Sequence, residues 1–570
     1  MGYRVVLACT GAMVLVAFAS QGCASSSNSG GPADAGDGGS GFGASGDASL
    51  AQDGATGDGG GSPVPSCGTL APSGRQIVAS MNVAVGGVTS DGYAVYTDTA
   101  SGMTYAVSVA GGAAPMPVGV VNRDNSLLYV SGRVAYIATR AGTGMTVGSL
   151  SVWTAASGSI TLSTGAYLSL ADSAWLASVS SDGSYIAYLD QATTTSATIT
   201  VARTDGTGSV PLVSNVAVQG GCNPSARFAG VNVVASYCVA AAADAGSPPG
   251  GGVEAGALDA QAGDASDAAP APTGASDATA ADANPADAGL AESGAQMNGA
   301  FATIASFVGP TFATTPIATN VSPSFAIDAA GTQVLVSSPS GLWVYPLGGG
   351  SRTLVDEAGT SGLFTKDGNS VLYTTSTSAL KRAPIGAGPP IALVASGLSV
   401  IRAVSPDDAW VLASYKTMGN RYDLYVASAT APGMATALAT MPTSAFFGDP
   451  FTLDSRYALF FTNVMSDGTG DFYAGASTGA PTKATSNAWQ EYATSGSRGL
   501  VNDNYNPSGG SSGNGIADIE AFDATNPTVL KTLVTAADAN FYPTPARDAI
   551  VYSWSCAQSA RAGLWALAVP

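Results

Sequence analysis

The strongest constraint on this chain is a unit that it repeats. The clearest copy runs from Ser180 to Val213. It reads Ser-Ser-Asp-Gly-Ser-Tyr-Ile-Ala-Tyr-Leu, a polar turn, Ala-Thr-Ile-Thr-Val-Ala-Arg-Thr-Asp-Gly-Thr-Gly, and a short apolar close at Pro211 to Val213. Asp-Gly between β-rich runs signals a hairpin, because glycine tolerates positive φ. Apolar residues alternating with small polar ones mark half-buried strands. One unit is therefore an apolar strand, a tight turn, a strand ending in Tyr, a loop, an alternating strand, a Gly-rich turn and a short last strand.

Ten marks of that turn can be read along the chain: Asp91-Gly92, Gly132, Asp182-Gly183, Gly230, Gly331, Asp367-Gly368, Pro406-Asp407, Asp454, a weak one near Gly499, and Asp548. Their spacings lie mostly between 37 and 51 residues. Four short strands fit that length, and a self-similar period of this size belongs to propellers. The expected fold is all-β, a β-propeller of four-stranded blades with a disordered N-terminal tether and one disordered insertion. Single propellers usually carry four to eight blades. The expected ring therefore has about eight, within a range of seven to ten, and two propellers are the rival arrangement. The last unit stops after its third strand, near Leu564 to Leu567. Arg75 to Ala84 has an apolar run with nothing local to pair with, so it is expected to complete that blade and remove an open edge.

Ser181-Asp182-Gly183 with Ile186-Ala187-Tyr188, Ser405-Pro406-Asp407, and Asp423-Leu424-Tyr425-Val426 resemble the repeats of TolB-type, WD40-like (PD40) β-propellers. Gly341-Leu342-Trp343-Val344 and Gly563-Leu564-Trp565-Ala566 resemble the third-strand half of that unit. The likeness covers most of residues 76 to 240 and 298 to 570. It implies the fold and, by analogy, a protein or peptidoglycan-associated partner. It implies no activity, since this fold hosts many functions.

The N-terminus reads as an export signal. Arg4 supplies the positive charge, and Val5 to Phe18 is apolar but too short to span a membrane. Gly22-Cys23 follows, with a Ser-rich tether behind it, in the manner of a bacterial lipoprotein. Ser20 stands where such signals usually carry Leu, and Ala17-Phe18-Ala19 offers an ordinary cleavage site. The expectation is a lipid anchor at Cys23 that places the protein at the bacterial cell envelope, on the periplasmic or surface face of an outer membrane. Plain secretion is the alternative. Both compartments are oxidising. The chain divides into 1–22 (signal peptide), 23–66 (Gly/Ser/Asp-rich tether), 67–240 (first part of the propeller), 241–297 (Ala/Asp-rich insertion) and 298–570 (second part). The insertion falls between the second and third strands of one unit, because the pattern resumes as a third strand at Phe301 to Phe307.

Charge bears on partners. The net charge is −19, but 24–64 and 241–297 hold 14 of the 39 acids and no base, so the folded part is near neutral. No basic stripe exists, which argues against nucleic acid. A monomer is expected.

Four cysteines stand outside the signal and the lipid site. Cys222 and Cys238 lie eight residues either side of Gly230, so a bridge between them is expected. Cys67 and Cys556 would then pair and lock the ring. Four cysteines allow three connectivities, so this pairing is a hypothesis.

The sequence contains no histidine. That removes Ser-His-Asp and Cys-His catalysis, His-ligated metals and imidazole acid–base chemistry. Carboxylate, Tyr or Lys chemistry survives. Asp467-Gly-Thr-Gly-Asp471 reads as a turn with calcium as its sharper alternative. Asn502, Asp503, Asn504 and Asn506 cluster before Pro507 to Gly515 as a second minor metal candidate, which departs from the EF-hand pattern in lacking its Gly and final acid. The repeated acids Asp91, Asp182, Asp367, Asp407 and Asp454 read as turn formers. Trp343, Tyr345, Trp410, Tyr425 and Trp565 read as inter-blade core. No phosphate-cradling motif is present, and no cofactor is expected. The expected function is a non-enzymatic binding or scaffolding propeller. A carboxylate-dependent glycan hydrolase or lyase, or a structural surface protein, are the alternatives.

Overall fold

The computed structural model describes residues 74–569 except 81, 122–125, 143–146, 168–176, 194, 219–223, 241–301, 387, 417–421, 434, 442–447, 466–468, 477–478, 507–514 and 555–560. The signal, tether and insertion lie outside the described residues, as do Cys23, Cys67, Cys222, Cys556 and Asp467. Every described element is a strand, and all pairings are antiparallel, between neighbours in sequence except for Arg75–Ala79, which pairs with Gly563–Ala568.

The strands form ten sheets, nine of four strands and one of three. Each is one blade. Numbered along the chain, blade 1 spans 83–120, blade 2 126–167, blade 3 178–217, blade 4 225–237 with 302–321, blade 5 325–356, blade 6 359–394, blade 7 400–441, blade 8 451–488, blade 9 491–538 and blade 10 541–568. All ten sequence marks are therefore blades, and the expectation of about eight is corrected to ten. The usual size range misled there. Even the weak mark near Gly499 heads a full blade, with its second strand at Arg498–Asn506 and its third at Ile516–Asp523.

Ring closure follows from the core. Ten apolar clusters each join two consecutive blades. The cycle has no gap: Tyr542, Val551 and Leu564 of blade 10 pack with Val83, Val85 and Tyr96 of blade 1. This is one ring, not two. Because a blade faces a neighbour on both sides, its central strands are apolar on both faces rather than alternating. In Tyr185–Asp190 of blade 3, Ile186 and Tyr188 enter the cluster with blade 2, while Ala187 and Leu189 enter the cluster with blade 4.

The expected closure is present. Arg75–Ala79 pairs with Gly563–Ala568 and supplies the outer strand of blade 10. Arg75 also donates to the carbonyls of Val109 and Ala110 in blade 1. The rest of the proposed closing segment does something else: Val83 and Ala84 open the inner strand of blade 1. In blade 4, Asn232–Tyr237 pairs with Ala302–Val308, so the insertion lies between second and third strands as expected.

Outer strands are the exposed edges of such a ring. Each shows a register shift against the third strand of its blade. In four of them a non-glycine residue near the shift takes positive φ: Asn215, Asn320, Asn487 and Ala536. A bulge twists an edge and breaks its hydrogen-bonding template, which blunts strand-to-strand association.

Candidate functional site

The repeated turn is the natural place to look for a site, because it brings an acid to the same end of most blades. In blade 3, Ser180 Oγ donates to Asp182 Oδ1 (2.6 Å) and accepts from the Tyr185 N–H (2.9 Å), while Asp182 Oδ1 accepts from the Ser184 N–H (3.0 Å). Thr89–Asp91 (2.5 Å), Thr365–Asp367 (2.6 Å), Ser405–Asp407 (2.6 Å) and Thr452–Asp454 (2.7 Å) repeat the hydroxyl–carboxylate bond. Two blades move the acid without losing the device. Asp328 stands in the first position and accepts from the Thr332 hydroxyl, and Thr544 donates to Asp548 in the fifth. These acids are turn formers, as their spacing indicates. Burial pushes the Asp182 carboxyl up, but the bonds from Ser180 and Ser184 outweigh it and hold it below its ordinary value. At Asp367 the Thr365 hydroxyl leads, followed by the Asn369 amide, in the same direction.

The fourth turn position touches the preceding blade. It is Gly183 in blade 3, at φ 74°, where an added Cβ would lie 3.1 Å from Arg133 Cβ. In blades 7, 8 and 10 it is Asp408, Ser455 and Arg547, all at positive φ. Such residues cost more than glycine there. Each makes an inter-blade bond in return. Asp408 accepts from the Lys366 N–H (2.7 Å), Ser455 Oγ accepts from the Asp407 N–H (3.1 Å), and Arg547 reaches Asp449 of the segment leading into blade 8. The sequence pattern located these turns but not the role of their fourth residue.

The other candidates disperse. Asp471 pairs with Lys483 Nζ (2.7 Å) and accepts from Asn463 Nδ2 (2.8 Å). Asn502 to Asn506 is not a loop but the end of a strand. Strand alternation sends Asn502 and Asp503 to opposite faces. Asn502 is fully buried and donates to the Ala539 carbonyl, whereas Asp503 accepts from the Thr485 hydroxyl of blade 8 (2.7 Å). Tyr345 and Trp565 are inter-blade core, and Trp343, Trp410 and Tyr425 pack half-buried against it. Among the described residues no group of three acids or cysteines is arranged to hold a metal ion. Cys238 stands directly after the second strand of blade 4, and its carbonyl accepts from the Ala217 N–H of blade 3 (2.7 Å).

What the sequence missed is a set of buried acids in blade 9. Glu491, at the start of its inner strand, is fully buried, and Glu520 is nearly so. Burial pushes the Glu491 carboxyl well above the usual carboxylate range, and the neighbouring Asp449 adds to the rise. Burial also raises Glu520, with Asp503 and Asp518 adding to it against a bond from Thr532. No sequence signal separates these glutamates from solvated ones.

No family model matches the chain, and no curated protein matches it. Among solved structures it is similar to TolB from Acinetobacter baumannii, with 13% identity over 61% of this chain and 76% of that one at a TM-score of 0.25. It is also similar to a putative TolB from Agrobacterium tumefaciens, with 15% identity over 45% of this chain and 94% of that one at 0.23. The β-propeller domain of the Trilobed protease from Pyrococcus furiosus is 10% identical over 63% of this chain and 97% of that one, at 0.29. At such identities and scores these likenesses add nothing to what the strand pairing itself shows about the fold.

Proposed function

We propose that this chain is a cell-envelope propeller that binds or scaffolds a protein or cell-wall partner and does no chemistry of its own. The observation that carries the reading is where its carboxylates are used. The turn acids spend their oxygens on the turn itself, and the two glutamates with raised pKa are sealed between blades, out of reach of a substrate. A glycan hydrolase would need two acids across an open cleft. Crosslinking and pull-down from intact envelopes, beside a glycan-binding screen, tests the proposal. It requires a retained partner and no turnover; release of reducing ends from a wall glycan would overturn it.

Attachment through Cys23 belongs to the same reading, with palmitate labelling lost in Cys23→Ala as the expected result and unlabelled, freely secreted protein as the contrary one. A Cys222–Cys238 bridge belongs to the same reading, with Cys238 directly after the second strand of blade 4. A Cys67–Cys556 bridge is more demanding. Arg75 enters blade 10 opposite Ala566, whereas Cys556 follows Trp554, which pairs with Gly563 at the other end of that strand. The residues after Cys67 would have to run back along the blade. Non-reducing peptide mapping decides both, and a 67–222 linkage would exclude them together.

A further inference from the structure

Among the described residues, blade 8 is the one blade without an inner strand. Where the inner strands of blades 7 and 9 have four paired residues each, it has a single bridge, Phe451 to Ala458, made by bonds from the Leu459 N–H to the Pro450 carbonyl (3.1 Å) and from the Thr452 N–H to the Tyr457 carbonyl (2.9 Å). The segment Gly448–Phe451 is instead held from outside its own blade. The Gly448 N–H donates to Glu491 Oε1 of blade 9 (2.5 Å). Asp449 Oδ2 accepts from the Ala493 N–H of blade 9 (2.9 Å). Arg547, from the turn of blade 10, grips both oxygens of Asp449 (2.6 and 3.2 Å) and donates to the Ala493 carbonyl (2.6 Å). Gly448 has no room for a side chain, since a Cβ would lie 2.4 Å from the Glu491 carbonyl oxygen.

We infer that Gly448–Phe451 is a pH-operated latch on the inner rim of blade 8, shut while Glu491 is protonated and released when Glu491 ionises. Glu491 is fully buried, and its second carboxyl oxygen, Oε2, makes no hydrogen bond. An ionised carboxylate there would lack both water and a cation of its own. The charges facing it sharpen the point. From the blade 8 side comes Asp449, a like charge whose Arg547 partner is committed to it. Opening the latch lets Glu491 ionise in water, so alkali favours the open form. Because the closed form binds the extra proton, the open-to-closed ratio rises up to about tenfold per pH unit between the ordinary glutamate value and the raised one. Opening would free the inner edge of Tyr457–Thr462, whose other edge stays paired with Gly470–Ala476.

Hydrogen exchange of the full chain tests this, with rates corrected for the intrinsic effect of pH. Protection of a peptide covering 448–462 should fall by tenfold or more from pH 5 to pH 9, while a peptide covering 185–190 in blade 3 stays protected. Glu491→Gln, which keeps the shape and cannot ionise, should hold the 448–462 stretch protected at both values. Unchanged protection in the wild type overturns the inference, and so does a Glu491→Gln protein that opens like the wild type. Should that variant fail to fold, the wild-type comparison alone decides.

Discussion

Blades 3 and 8 are built from the same unit and solve the same problem in opposite ways. Blade 3 has four strands, a hydroxyl–carboxylate turn closed by glycine, and an apolar layer against each neighbour. Its support is apolar, and its turn bonds stay within the blade, the farthest being from the Thr204 hydroxyl to the Gly183 carbonyl (2.7 Å). Blade 8 keeps the turn, Thr452 to Asp454, and the packing of Leu459, Phe460 and Phe461. It lacks the inner strand and borrows bonds from blades 9 and 10, through an arginine 98 residues away in sequence. A repeat can thus lose a quarter of its strands and stay in the ring, provided charge and hydrogen bonding replace the missing ladder. The replacement is long-range and sensitive to protonation, where the ladder is neither.

The sharpest way to break that comparison is to remove the borrowed support. Arg547→Ala leaves the half-buried Asp449 without its cation, and breaking a pair of this kind costs about 3–5 kcal/mol. Denaturant unfolding should show that loss, and exchange should place it in blades 8 to 10. The corresponding test of blade 3 is apolar. Ile186→Ala opens a hole in the fully buried layer against blade 2 and should cost about 3 kcal/mol, spread over blades 2 and 3. If Arg547→Ala costs less than Ile186→Ala, the latch is held by packing and the contrast fails.

The two regions also differ in what the sequence disclosed. Blade 3 could be read almost whole, because its turn and its strands obey local rules: Asp182-Gly183 needs only its own neighbours, and Ile186 to Leu189 announce a buried strand by composition. The favoured ring of about eight blades fell short of ten, the top of the expected range, for a different reason. Every mark was visible, but the number of blades a ring accepts depends on how each pair packs, which no single unit encodes. Closure by Arg75–Ala79 was legible because a terminal strand with no local partner must find a distant one. The latch was not legible at all. Glu491 resembles any strand-end glutamate, and Arg547 occupies a turn position where the pattern leads one to expect glycine. Its partner Asp449 lies in a segment with no strand signature. The Asn502–Asn506 run misled in the opposite sense, since polar clustering suggests a loop whereas inter-blade bonds consume those side chains in a strand.

Acid and alkali should separate the regions in smaller steps. Asp367 is held low in the folded state, so its contribution is whole above about pH 3.9 and is lost as pH falls below that. Glu491 is held high, so its contribution is whole below about pH 4.3 and is lost as pH rises toward its folded value. Melting followed against pH should therefore show an acid limb that Asp367→Asn reduces and a neutral-to-alkaline decline that it leaves alone. Gly183→Ser places a side chain at φ 74° against Arg133 and should cost about 1–2 kcal/mol. Ser455 tolerates the same geometry at φ 63° because Asp407 bonds to it, so Ser455→Gly should be nearly neutral.

The smallest effect belongs to a contact that looks like the latch and is not. Arg203 and Asp205 in blade 3 form an ion pair at 3.1 Å, as close as the longer arm of the Arg547–Asp449 clamp. The Arg203 bond, joined by those from Thr207, holds the Asp205 carboxyl far below its ordinary value. Both side chains stand in solvent, 48% and 39% exposed. Water and salt screen such a pair, and ordering two long side chains offsets what attraction survives. Asp205→Ala should leave the unfolding midpoint unchanged within error and insensitive to added salt, whereas the Arg547 variant loses several kcal/mol at every ionic strength. A measurable loss from Asp205→Ala would mean that the turn after Arg203, rather than burial, sets what a charge pair contributes in this ring.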